Sequence, residues 1–193
     1  MTASANMLFE PMPSAYEAGG VRYQADTCFR CGVRVALLIE DPAVDARVKP
    51  ALVVANVLPG LPPALPLADA LEWCLWFHSC GEAARGRGGA RRGPRDFSFD
   101  DDAGRIVADF QRFYGVDLTD PSTRMHWWRF MALLRNLGED SATMAAIRLR
   151  GMEPTKGMDA KARRDLWAAK RAVELSPRTA EEARAMEDRR WGL

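Results

Sequence analysis

Apolar residues fall at helical spacing along most of the chain. Ala103, Ile106, Val107, Phe110 and Phe113 recur every three or four positions, and so do Trp127, Phe130, Met131, Leu134 and Leu137. Each set forms one stripe on a helix, and a stripe of that kind must be buried. The first helix is expected after the acidic run Asp100 to Asp102, whose carboxylates suit unsatisfied N–H groups, and it stops at Gly115. The second is expected to open at Asp120-Pro121, because a proline at the first helical position gives up a donor that has no partner there. Together, Asp100 to Leu137 reads as the centre of the chain's own core.

The flanking segments follow the same logic. Met1 to Pro13 has no periodicity and reads as a flexible arm. Gly19-Gly20 separates two short runs in the span of about residues 14–25 and predicts a tight β-hairpin. Two strands alone are marginal, so this hairpin must lean on helices or on another subunit's edge. Helices are predicted from Asp26, from Pro50 and over Leu67 to Cys80, the last two joined by the proline-rich connector Pro59 to Pro66. Beyond Gly138, Asp140 or Ser141 caps the next helix, and Asp159 caps one with Ala162, Leu166, Ala169 and Val173 on one side. The predicted architecture is mainly α, a multi-helix orthogonal bundle with a short N-terminal hairpin. A single helical domain is expected over residues 14–175, followed by a charged helical tail over 176–193.

Composition narrows the function classes. The chain has 193 residues, 27 Lys+Arg against 26 Asp+Glu, so its overall field gives no reason to expect a nucleic-acid or membrane partner. No apolar run approaches the roughly 18 to 20 residues that span a bilayer. The opening Met-Thr-Ala-Ser-Ala-Asn-Met lacks the basic and apolar regions of a secretory signal. A soluble, cytoplasmic protein is expected.

Candidate chemistry is sparse. Cys28 and Cys31 form a C-x-x-C, open to reading as a redox pair or half a zinc site, while Cys74 and Cys80 are six apart in an apolar helix. Structural thiols are the preferred reading, with no metal and no cofactor. The arginines among glycines between residues 82 and 95 suggest either a phosphate clamp or a solvated basic loop; without an aromatic platform the second is preferred. His126, beside Trp127 and Trp128, suits packing better than general base work. No catalytic residues are assigned, and the protein is expected not to be an enzyme. A partner surface, by residue type, would use Trp73, Trp76, Trp127, Trp128 and Trp167 with Arg163 and Arg164 of the charged C-terminal helices.

One order of motifs is specific. Leu75-Trp76-Phe77, Cys80-Gly81, Phe97-Ser98-Phe99-Asp100, Ile106-Val107-Ala108-Asp109-Phe110, Tyr114-Gly115-Val116-Asp117-Leu118 and His126-Trp127-Trp128-Arg129-Phe130 follow in turn, then Arg150-Gly151-Met152 and a basic helix. This order, from about Val21 to Leu175, resembles the bacteriophage gene-product-fifteen family. The resemblance implies a tail assembly chaperone, encoded next to the tape measure gene, that keeps the tape measure protein soluble in the host cytoplasm while the tail tube polymerises. It implies no catalytic residues and a protein absent from the mature particle, with the tail tube protein as a second candidate partner. The C-x-x-C, the Gly/Arg loop and the tail over 176–193 depart from the family pattern. The rival readings are a structural, tail- or head-associated particle protein, oligomeric through the hairpin edge, and, further off, a nucleic-acid or zinc module.

Overall fold

A computed structural model describes residues 7–82 and 95–191, with side chains to residue 188. It is mainly helical, with a two-stranded N-terminal sheet and, among the described residues, eight helices. The chain forms two compact units. Unit 1 holds residues 7–82 and 124–135; unit 2 holds residues 95–123 and 136–191.

In unit 1, β1 (Ala15–Ala18) and β2 (Val21–Gln24) pair antiparallel, with Ala18 opposite Val21. Gly19 and Gly20 have φ of 56° and 75°, the positive values that a two-residue turn between twisted strands requires at both positions. The hairpin leans on a helix, as a two-stranded sheet must: the Tyr16 ring lies 5.8 Å from that of Trp73. Trp73 belongs to α3 (Leu67–His78), which packs on α2 (Lys49–Val57). That helix in turn packs on α1 (Phe29–Glu40), which also receives α5 (Trp127–Arg135). Val35, Cys74, Phe77, Trp127, Trp128 and Phe130 fill the centre.

Helix α5 starts at Trp127, later than Asp120-Pro121 suggests, and tertiary hydrogen bonds are the reason. Thr27 and Phe29 bond across to Trp127 and Met125, with Trp127 N–H donating to the Thr27 carbonyl at 2.7 Å and Phe29 N–H to that of Met125 at 2.8 Å. Cys28 and His126 thereby form an antiparallel bridge, which holds the residues before Trp127 extended. Asp117 and Asp120 spend their carboxylates on the N–H groups of Thr119 and Ser122, at 2.7 and 2.8 Å. The segment is therefore a pair of turns.

In unit 2, α4 (Ala103–Tyr114) packs on α6 (Ala142–Gly151), and α7 (Ala160–Ala172) and α8 (Ala180–Trp191) follow. The two central stripes thus serve different cores, α4 with α6 and α5 with α1. Gly115 ends α4 at φ 63°, and Ser141 caps α6 through Met144 N–H at 3.0 Å. Two buried carboxylates organise the rest. Asp109, 2 % exposed, accepts from the N–H groups of Ala142 and Thr143 at 2.9 and 2.8 Å, so α4 caps its neighbour's N-terminus. The position of Asp102 suits a cap for α4, yet its carboxylate makes no such bond; it is fully buried and accepts from the guanidinium of Arg150 at 2.7 and 2.8 Å.

Candidate partner-binding groove

Helix α7 begins where Asp159 accepts from Ala162 N–H at 2.7 Å. It carries an apolar stripe, but none of its residues is buried. Leu166 and Trp167 are half-buried, and the Lys170 ammonium sits 5.2 Å from the Trp167 ring centroid. Lys170 also donates to the Met152 carbonyl and lies 3.7 Å from Glu153. On the open side of α7 is a groove of about 1500 Å³, lined by Lys161, Arg164, Trp167 and Arg171 of α7 and by Leu175 and Met186.

The far wall is α8, held at its start. Arg95 donates to the Ser176 carbonyl at 2.8 Å and pairs with Glu182 at 3.2 Å. Glu182 also accepts from Arg178 N–H at 2.8 Å; that bond, then the Arg95 charge, holds its carboxyl below the usual range against the opposing effect of burial. Ser176 donates its hydroxyl to Asp101 at 2.6 Å. Burial acts to raise the Asp101 carboxyl, and the Ser176 bonds with the one from Ser98 carry it below its ordinary value. The Arg95 Nη1 is buried and has no hydrogen-bond partner among the described residues.

The sequence candidates separate. Trp127 and Trp128 are each 1 % exposed, and their indole N–H groups donate to the carbonyls of His78 and Phe77 at 2.8 and 2.7 Å. Their rings belong to the core of unit 1. Trp73 and Trp76 are half-buried in the same unit, Trp73 stacked 5.4 Å from Phe77 and Trp76 edge-on 5.4 Å from Trp128. Trp167 and Arg164 line the groove in unit 2, while the exposed Arg163 turns back to the Met158 carbonyl at 3.4 Å. Lys161, Arg171 and Met186 also line the groove and are absent from the sequence candidates. For Lys161 and Arg171 the signal was present, since they recur with Arg164 and Trp167 at helical spacing.

A second, smaller cavity of about 220 Å³ gathers Asp26, Cys28, Arg124 and His126, residue types that suggest nucleophilic chemistry. The hydrogen bonds decide against it. His126 Nδ1 accepts from Trp128 N–H at 3.1 Å, so Nε2 carries the proton and donates to the Pro13 carbonyl at 2.9 Å. No lone pair remains to take a proton from Cys28. Asp26 accepts from Cys28 N–H at 3.1 Å and from Arg34 at 3.4 Å. The four cysteines are free; burial pushes the Cys31 thiol up to about 11, Cys74 to about 12 and Cys80 to about 11. Among the described residues no three or more His, Cys, Asp or Glu are placed to hold a metal ion, and no helix is long and apolar enough to cross a membrane. Of the basic loop over 82–95, only Glu82 and Arg95 lie within the described residues.

The family described as "Bacteriophage Gp15 protein" matches residues 8–175, which excludes α8. No curated protein and no solved structure matches the chain.

Proposed function

The chain belongs to the bacteriophage Gp15 protein family, and from that premise we propose that it is a tail assembly chaperone. It binds the phage's tape measure protein in the host cytoplasm while tail tube subunits polymerise, performs no covalent chemistry and is left out of the finished particle. The observation that carries this reading is α7, a helix with no buried residue whose half-buried Leu166 and Trp167 sit among cations at the side of a groove. A protein that keeps long amphipathic helices in solution needs an apolar seat with a charged rim, because the seat takes the apolar stripe and the rim prevents indiscriminate aggregation.

Mass spectrometry of purified phage particles tests the proposal against a structural role. The chain is expected to be absent from particles and present in lysates during assembly. Stoichiometric presence in the particle would assign it to the tail or head structure instead.

A further inference from the structure

We propose that the α7 groove is a docking site for an acidic amphipathic helix; only the identity of the protein carrying that helix, the tape measure protein, rests on the chaperone reading. Lys161, Arg164, Trp167, Ala168 and Arg171 follow at spacings of three, three, one and three residues, which places them on one helical face. All five line the groove. The charge of this helix is strongly one-sided. Lys161, Arg163, Arg164, Lys170 and Arg171 stand against the single acid Asp165, giving 5 − 1 = +4 over its 13 residues, although the whole chain carries only +1.

Five carboxylates also line the groove, Asp96, Glu153, Asp165, Glu174 and Glu182, but among the described residues none of them pairs with the outward cations of α7. Lys170 is engaged by Glu153 and Arg95 by Glu182, but Lys161, Arg164 and Arg171 form no ion pair with any carboxylate among the described residues. Between them lie Trp167 and, across the groove, Leu175 and Met186. A ligand that satisfies both sets of groups has an apolar stripe bordered by carboxylates.

The chain itself brings carboxylates to this groove. Helix α8 opens with Glu181 and Glu182 in its first turn, brings Glu182 onto Arg95 and reaches the groove with Met186. It lies outside the residues matched by the family, and its first turn sets two carboxylates beside a basic helix. A helix is about 10 Å across with a 5.4 Å pitch, about 420 Å³ per turn, so about 1500 Å³ is space on the scale of a few turns. Trp167 is a stacking platform among cations, but the apolar Leu175 and Met186 beside it suit the apolar stripe of a helix.

The test uses the full chain and three probes: a synthetic helix of about 20 residues with leucines on one face and glutamates and alanines elsewhere, its lysine-for-glutamate twin, and a single-stranded DNA of similar length. The glutamate peptide is expected to bind and the lysine twin not to. The variant Lys161→Glu/Arg164→Glu/Arg171→Glu, changed only at exposed positions and checked by thermal melting, is expected to weaken binding by about tenfold or more. Arg164→Gln/Arg171→Gln serves as a milder second variant and should weaken it less. Equal binding of the two peptides, unchanged affinity in both variants, or DNA binding in place of the glutamate peptide would overturn the proposal. If the tape measure protein fails to co-purify while the glutamate peptide binds as described, the chaperone reading falls and the docking site stands. If it co-purifies equally with the triple variant, the docking site falls and the chaperone reading stands.

Discussion

Arg150 grips Asp102 with two parallel hydrogen bonds of 2.7 and 2.8 Å, across 48 residues of sequence. Arg105 at 2.8 Å and Ser98 N–H at 3.1 Å complete the carboxylate's set of donors. Arg150 also donates to the carbonyls of Asp96 and Val173. One ion pair therefore fixes the segment before α4, the start of α4, the end of α6 and the segment after α7. The groove beside Arg150 inherits its geometry from this knot.

Both members are buried, Asp102 fully and Arg150 to 7 % side-chain exposure. Removing one leaves the other charge without its partner away from water, so Asp102→Asn or Arg150→Met should each cost about 3–5 kcal/mol in urea unfolding. The same truncation at the solvent-exposed pair Arg112–Asp140 should cost at most about 1 kcal/mol. Equal, small losses at both sites would contradict the role given to Asp102.

Two helical glycines should respond to alanine with opposite sign. A Cβ at Gly32 of α1 would meet the Trp127 ring at 2.1 Å, so Gly32→Ala should destabilise by about 1–3 kcal/mol or more through overpacking. At Gly104 of α4 a Cβ meets nothing within 4 Å, and Gly104→Ala should stabilise by about 0.5–1 kcal/mol. Thermal melts of the two variants read both signs directly.

Burial holds the His126 and His78 imidazoles below their ordinary value of 6.5, although hydrogen bonds to Pro13 and Gly32 oppose the shift. A base with a depressed folded value binds its proton more readily when unfolded, so stability rises with pH across this window. The contribution is complete above about 6.5 and is lost as pH falls below it. Protonated His126 also loses the acceptor for Trp128 N–H. The melting temperature should therefore drop between pH 7 and pH 5, and His126→Asn should flatten the drop; an unchanged slope would show that His126 is not responsible.

The thiols should differ in reactivity. Cys31 and Cys74 are buried, at 1 % and 0 % exposure, whereas Cys28 is partly exposed at the start of α1. Iodoacetamide on the native protein at neutral pH should label Cys28 well before Cys31 or Cys74, as peptide mass spectrometry would show. Early labelling of Cys74 would contradict the packing of α3.

Local signals carried far in this chain. Gly19-Gly20 placed the hairpin, Gly115 the end of α4, and Ser141 and Asp159 the starts of α6 and α7, because each acts through bonds a few residues away. Long-range bonds were not legible. Asp120-Pro121 has the chemistry of a helix start, but the bridge between Cys28 and His126 holds the chain extended to Trp127. Asp102 has the position of a cap and is taken by Arg150 instead. Periodicity identifies the faces of Trp127, Trp128 and Trp167 equally well; it does not say that the first two are covered and the third is half open. Trp167 and Arg164 line the groove, but its other wall depends on how Arg95 holds α8, which no local pattern shows.

Co-expression of the full chain with a tape measure protein from the same phage is the decisive test of the proposed chaperone role, with the soluble fraction run over size exclusion with light scattering. The tape measure protein is expected to move from pellet to supernatant and to elute with the chain as one complex. A tape measure protein that stays in the pellet while the chain elutes alone would contradict that role.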